Sequence, residues 1–318
     1  MRERFYPFDL ARSLCVIYII GIWHFNSYLN PSYAFGDSTL IVLHRVTEVI
    51  LGAFTFLSGF FLAKYKFYSI HDIIHFYYNR FRRFFILLLI SSLTYLFLSW
   101  INVVELLQIL TGTLLFFDTK VSTLWYFSML ILFYVLTPLL QFNYKNRYIS
   151  LGLATLIFLC FLFASCHYDS IDERLSLYFP CFFIGLKSPS FIVKWLRKSG
   201  VMLLSLGSCV CFFIIYQFTQ MSGLKVFIVL TGITFLLSSC MQIYRKNMDL
   251  VISFLATSSM VAYLFHRQIF GAGKMLSEQI TGDKYIPLFY AVLLLLLTFV
   301  ISYFIQLLYN HLSNYLWK

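Results

Sequence analysis

The chain has 318 residues, of which 60% are apolar and 12% charged, with a mean hydropathy of +0.81. A soluble domain carries about 25% charged residues, so half that charge excludes a soluble fold of this size and makes lipid the solvent for most of the surface. The net charge of +11 falls mainly in short loops between apolar runs, which excludes a nucleic-acid footprint and points instead to topology and the anionic leaflet.

The apolar runs are long and unbroken, unlike the alternating stretches of about ten residues in barrel strands, so an all-α integral membrane fold is expected. In chain order the predicted spans are 10–30, 46–64, 83–101, 122–141, 149–166, 174–187, 200–219, 224–243, 251–270 and 287–310. These give about ten transmembrane helices in a single domain, 1–318, with no soluble domain. Most reach the roughly 17–25 residues that hydrocarbon requires. The sixth carries Pro180 and Gly185 and is expected to be tilted, broken or re-entrant, and 103–117, with Glu105 and Gln108, reads as an interfacial or re-entrant helix. Seventeen of the 24 Lys and Arg fall at the termini and in alternate loops, which by the positive-inside rule places both termini in the cytoplasm. No cleavable signal is expected, because the run Leu14–Trp23 lacks a small-residue cleavage site. The seven cysteines show neither metal nor disulfide spacing.

Ionisable residues inside spans are the first functional candidates, since each is costly in hydrocarbon. The first span, FDLARSLCVIYIIGIWH, holds Asp9 and Arg12 at i, i+3, with His24 about 18 Å further along the axis. YYNRFRRFF places Arg80, Arg82 and Arg83 beside Tyr77 and Tyr78, a set suited to a phosphorylated ligand and equally to a plain cytoplasmic loop boundary. AYLFHRQIF puts His266 and Arg267 at the outer end of the ninth span. HDIIH (71–75) aligns two histidines on one helical face but lacks a third ligand, so no metal site is expected.

Taken in order, these segments resemble the acyltransferase-3 family of bacterial integral-membrane acyltransferases. The likeness runs through FDLARSLCVIYIIGIWH, FTFLSGFFLAKYKF (54–67), NRFRRFF, TLWYFSMLILFYVLTPLL (123–140), YFPCFFIGL (178–186) and AYLFHRQIF. The resemblance places the family's Arg-to-His motif on Arg12 and His24, and its paired arginines on Arg80 and Arg83. Its Leu-Ser-Gly signature falls on Leu57, Ser58 and Gly59, and its Tyr-Leu-x-His signature on Tyr263, Leu264 and His266. Two departures matter. The Glu-Glu-Gln common after the Leu-Trp of the fourth span is here Leu130, Ile131 and Leu132. Eleven residues, not the family's ten, separate Arg12 from His24, and in a regular helix that turns the pair about 120° apart instead of about 20°. A π-bulge or local unwinding between Cys15 and Trp23, at Gly21, is therefore predicted to restore a shared face.

The resemblance implies an acyl-CoA co-substrate, acetyl-CoA first, with no bound cofactor. Arg80, Arg82 and Arg83 would hold its phosphates, and the thin pantetheine arm would extend past Arg12 toward His24. His24 would act as general base on an acceptor hydroxyl, with an ordinary imidazole pKa near 6.5 suiting the role. Asp9 would orient Arg12, and Ser58, Trp125, Tyr263 and His266 are the pocket candidates. The implied acceptor is a surface glycan or its lipid-linked precursor, the implied location the inner membrane. The loops 26–45 and 271–286, the latter with Glu278 and Asp283, are the expected acceptor contacts. The rival class is a transporter or flippase for a glycan or carboxylate, which would also carry buried charges but would not need to bind CoA. No inverted repeat supports it.

Overall fold

The computed structural model of the chain describes residues 5–28, 36–82, 84–117, 123–142, 147–187, 189–281 and 286–316. The described residues are mainly helical and contain no strand. The helices are α1 (Tyr6–Tyr18), α2 (Asp37–Leu62), α3 (Ile70–Phe81), α4 (Phe85–Phe97), α5 (Val103–Thr111), α6 (Trp125–Gln141), α7 (Arg147–His167), α8 (Arg174–Lys187), α9 (Pro189–Leu196), α10 (Ser199–Thr219), α11 (Ser222–Ile243), α12 (Asp249–Thr281) and α13 (Leu288–Leu316). Among the described residues, seven helical segments are long and apolar enough to cross a membrane: Tyr6–Tyr28, Thr39–Leu62, Tyr148–His167, Ser199–Thr219, Gly223–Ile243, Lys246–Ile280 and Phe289–Leu312.

The three other expected spans form shorter helices. α4 has 13 residues, α6 has 17 and α8 has 14, or about 20–26 Å against the roughly 30 Å of hydrocarbon. α4 falls short because Phe84 is not helical and the backbone reverses at Ser99, whose φ is 57°. α8 runs unbroken through Pro180. The expected helix within 103–117 is α5, which starts in a capping box: Glu105 N–H donates to the Asn102 side chain at 2.9 Å, and Asn102 N–H to Glu105 at 2.8 Å. It stops at Gly112, whose φ of 78° an L side chain would resist.

Three helices run well past their predicted spans, among them α13, which continues to Leu316. α2 begins nine residues before the predicted 46, taking in His44, Arg45 and Glu48. The turn is tolerated because Arg45 Nη1 donates to both Glu48 oxygens, at 2.7 and 2.8 Å, so the charges cancel within the helix. α12 continues to Thr281, so Glu278 is helical and not in the loop expected at 271–286. Asp283 lies outside the described residues.

The chain divides into two compact units. The first comprises Met1–Phe54, Leu196–Ile215 and Ile228–Lys318. Its core gathers Val16, Ile20 and Phe25 with Ala262, Phe270, Ile286, Ala291 and Phe299. The second comprises Thr55–Trp195 and Tyr216–Phe227. In it, α2 and α8 cross at two glycines. A Cβ on Gly59 would strike the Phe182 carbonyl, and one on Gly185 the Phe56 carbonyl, so the two backbones touch as small-residue membrane crossings do. Phe133 fills the adjoining space between Phe179 and Phe182, with ring centroids at 5.7 and 5.2 Å.

α3, which carries Arg80, begins in a second capping box. Asp72 accepts from the N–H groups of Tyr68 and Ser69 at 3.0 and 2.9 Å and from the Ser69 hydroxyl at 3.0 Å. These bonds, that of the Tyr68 N–H first, hold the Asp72 carboxyl below its usual value. A depressed carboxylate pKa stabilises the cap above the unfolded value near 4 and loses that support as pH falls through the lower folded value. Protection of the Asp72 and Ile73 amides, which donate to the Ser69 hydroxyl and carbonyl, is therefore expected to hold from neutral pH down to about 4 and to fall below it, measured relative to the intrinsic exchange rate at each pH. In Asp72→Asn the same amides should exchange faster at neutral pH, with that acid dependence gone.

Candidate active site

α1 starts with Pro7 in its first turn and sends Phe8, Ala11, Cys15, Val16 and Ile19 inward at helical spacing. Asp9 is buried on the same helix and pairs with Arg12, Nη2 to Oδ1 at 3.3 Å. Arg12 Nη2 also donates to the Ala256 carbonyl of α12 at 2.7 Å. This ties the N-terminal half of α1 to α12 and satisfies part of a guanidinium that hydrocarbon would otherwise penalise.

Beyond Tyr18 the helix widens. Ile19–His24 is a π-turn that contains Gly21, as the extra residue in the Arg12–His24 spacing predicts. Gly21 is also where the chain passes close to Leu295: a Cβ on Gly21 would come within 3.0 Å of that side chain. The widening leaves His24 on the same side as Arg12, facing α12: its Nδ1 lies 2.7 Å from His266 Nε2. The rings are parallel within 4° with centroids 4.8 Å apart. So wide a centroid separation at so short an N···N distance sets the rings end to end in one plane, joined by a hydrogen bond and not stacked face to face.

The bonding assigns the protons. His266 Nδ1 is 2.9 Å from the Tyr263 carbonyl, an acceptor only, so Nδ1 carries the hydrogen and Nε2 of the neutral ring accepts. His24 Nδ1 must then donate. Its Nε2 keeps a lone pair, the basic atom of the pair. The His24 carbonyl accepts the Ser27 hydroxyl at 2.7 Å, and the His24 side chain is only half-buried while His266 is fully buried.

Tyr263 reaches this network through its main-chain carbonyl, and its ring lies edge-on to His266 at 5.9 Å. Two other charges belong to the same compact unit. They are Arg267, which hydrogen-bonds the Tyr28 side chain, and the buried Glu48 paired with Arg45. His44 of that turn meets the Trp23 ring edge-on at 5.8 Å.

Asp9, Arg12, His24, Tyr263 and His266 thus belong to one compact unit, while Ser58, Arg80, Arg82 and Trp125 belong to the other. Arg83 lies outside the described residues. Arg80 lies over the Tyr134 ring, 4.5 Å from its centroid, and Nη2 donates to the Tyr134 hydroxyl at 2.8 Å. Tyr77 donates to the Val135 carbonyl at 2.7 Å, fixing α3 against α6. Arg82 lies 5.7 Å from the Tyr78 centroid. Trp125 has the Arg174 guanidinium over its ring at 4.0 Å and Tyr178 stacked at 6.3 Å. Among the described residues no three His, Cys, Asp or Glu side chains gather as a metal site.

The family model described as an acyltransferase domain, that of the acyltransferase-3 family, matches residues 5–307. The chain belongs to the acyltransferase-3 family. No curated protein and no solved structure matches it. As an acyltransferase-3 protein it is a multi-pass helical membrane acyltransferase, working between an acyl donor, an acceptor and a lipid bilayer. Membership replaces the transporter or flippase reading. Of the segments that carry the acyltransferase-3 resemblance, the first and last meet directly, at His24–His266.

Proposed function

We propose that this acyltransferase moves an acyl group, acetyl in the first instance, from cytoplasmic acyl-CoA to a hydroxyl of a surface glycan or its lipid-linked precursor. The observation that carries the reading is the lone pair on His24 Nε2, oriented by two successive hydrogen bonds through His266 to the Tyr263 carbonyl. In this reading Nε2 takes the acceptor's hydroxyl proton as the oxygen attacks the thioester carbon. A tetrahedral intermediate forms, the C–S bond breaks, and the proton passes from His24 to the departing thiolate of CoA. Arg80, Arg82 and Arg83 bind the CoA phosphates, and Asp9 holds Arg12 in place.

The enzyme is read as one inner-membrane domain of about ten spans with both termini in the cytoplasm. Two observations support that count. The Lys and Arg bias is one. The other is direction: Tyr6 stacks on Tyr244, Arg12 bonds Ala256, His24 bonds His266 and Phe25 packs on Phe270, so α1 and α12 run parallel. Counting only the seven long spans makes α12 the sixth, which would run antiparallel to the first. Adding α4, α6 and α8 makes it the ninth and restores the direction.

Membranes containing the wild-type protein are expected to transfer radiolabel from acetyl-CoA into envelope glycan as a base-labile ester. No transfer from acetyl-CoA or longer acyl-CoAs, with native glycan present, overturns the reading. Arg80→Gln is expected to raise KM for acyl-CoA about tenfold or more, the scale of a lost charged hydrogen bond, with kcat little changed. An unchanged KM would remove Arg80 from the donor site.

A further inference from the structure

Acyl transfer by a neutral histidine base leaves one charge without a partner in the mechanism above: the oxygen of the thioester carbonyl, which becomes an oxyanion in the tetrahedral intermediate. Preorganised donors for that oxygen are commonly the largest single contribution to such catalysis.

Arg267 follows His266 on α12 and is within electrostatic reach of both His24 and His266. Its guanidinium hydrogen-bonds the Tyr28 side chain. Tyr28 is itself held in place: its carbonyl accepts the Ile286 N–H at 3.2 Å, and its ring packs on Phe270 at 5.4 Å. The arginine head is therefore tied to the short turn Phe25–Tyr28 that follows the π-turn. Its Nε atom is buried and has no hydrogen-bond partner among the described residues. A buried charged donor left unfilled inside a membrane span is costly, and an anionic oxygen within its reach would remove that cost.

We propose that Arg267 is the oxyanion donor of this acyltransferase, its guanidinium binding the thioester oxygen as the tetrahedral intermediate forms. The proposal rests on the acyl-transfer reading above. As the acceptor oxygen bonds to the carbonyl carbon, its proton goes to His24 Nε2 and the carbonyl π pair moves onto oxygen beside Arg267. When the C–S bond breaks, that pair re-forms the carbonyl and the thiolate recovers the proton from His24. The guanidinium contributes charge and hydrogen bonds and exchanges no proton.

The test uses full-length protein in native membranes, with radiolabelled acetyl-CoA as donor and envelope glycan in excess as acceptor. Arg267→Gln is expected to lower kcat by roughly 10²–10³-fold while KM for acetyl-CoA and membrane abundance stay near wild-type. In Arg267→Ala, added guanidinium should restore part of kcat, which a merely structural arginine would not allow. Arg267→Lys keeps the charge but loses the planar fork; it is expected to retain about a tenth of kcat or less, and it carries the test should R267Q fail to accumulate. Wild-type kcat in R267Q or R267K, or a loss confined to KM, overturns the proposal. No transfer by the wild-type protein in the same assay would instead remove the acyl-transfer reading beneath it.

Discussion

Replacing His24 by alanine is expected to lower acetyl transfer by roughly 10²–10⁴-fold, the usual contribution of a positioned general base, without changing the amount of protein in the membrane. The separation of the two effects follows from position. His24 is half-buried at the end of a π-turn whose packing is supplied by Ile19, Ile20 and Phe25, so truncating the ring removes a functional group and little core. Initial rates of label incorporation, normalised to immunoblotted protein, measure it. Full activity in His24→Ala would refute the general-base role. His266→Phe is a companion with a different signature. It removes the acceptor that fixes the His24 tautomer and leaves His24 Nδ1–H without its partner, so kcat should fall, less than in His24→Ala, with KM for acetyl-CoA unchanged.

The second large effect is expected at the glycine crossing of α2 and α8. Gly59→Leu and Gly185→Leu each drive a side chain into main-chain carbonyls that cannot move without shifting a whole helix. Overpacking of this kind costs about 1–3 kcal/mol where neighbours are flexible side chains, and a backbone neighbour puts these variants at or above the top of that range. Even Gly59→Ala meets the Phe182 carbonyl. Gly152→Ala is the control, since a Cβ there meets nothing within 4 Å and should leave stability within about 1 kcal/mol of wild-type. Thermal unfolding in detergent reads both. A Gly59→Leu protein as stable as Gly152→Ala would show that the two helices do not cross where the backbones now touch.

Much of the site was legible because it is written in helical spacing. The mismatch between Arg12 and His24 called for a change of pitch, and Ile19–His24 supplies it. What spacing could not show is which residue meets which. His266 and His24 are 242 positions apart, and nothing local to either says that their rings join end to end. Hydropathy failed at Arg45 and Glu48 for a definite reason. It counts each charge separately, whereas Arg45 Nη1 bonds both Glu48 oxygens within one turn and the pair enters the membrane helix nearly neutral. Arg267 stands beside His266 in the sequence, but an arginine at a span's end has an ordinary reading as an interfacial anchor, and its contact with Tyr28 is what no local pattern shows. The length of α4 depended on where the backbone leaves the helical region, as at Ser99, which the apolar run does not reveal, whereas α8 keeps the bounds read from the sequence, Arg174–Lys187.

The π-turn also bears on how such a span can change length. A residue inserted into a regular helix rotates everything after it by about 100°, which here would carry Phe25 away from Phe270 and Tyr28 away from Arg267. Stored as one wide turn, the insertion is absorbed within six residues, and the segment beyond keeps its neighbours. A membrane helix with such a turn can gain or lose a codon upstream of its working end and still deliver the same side chains to the same place.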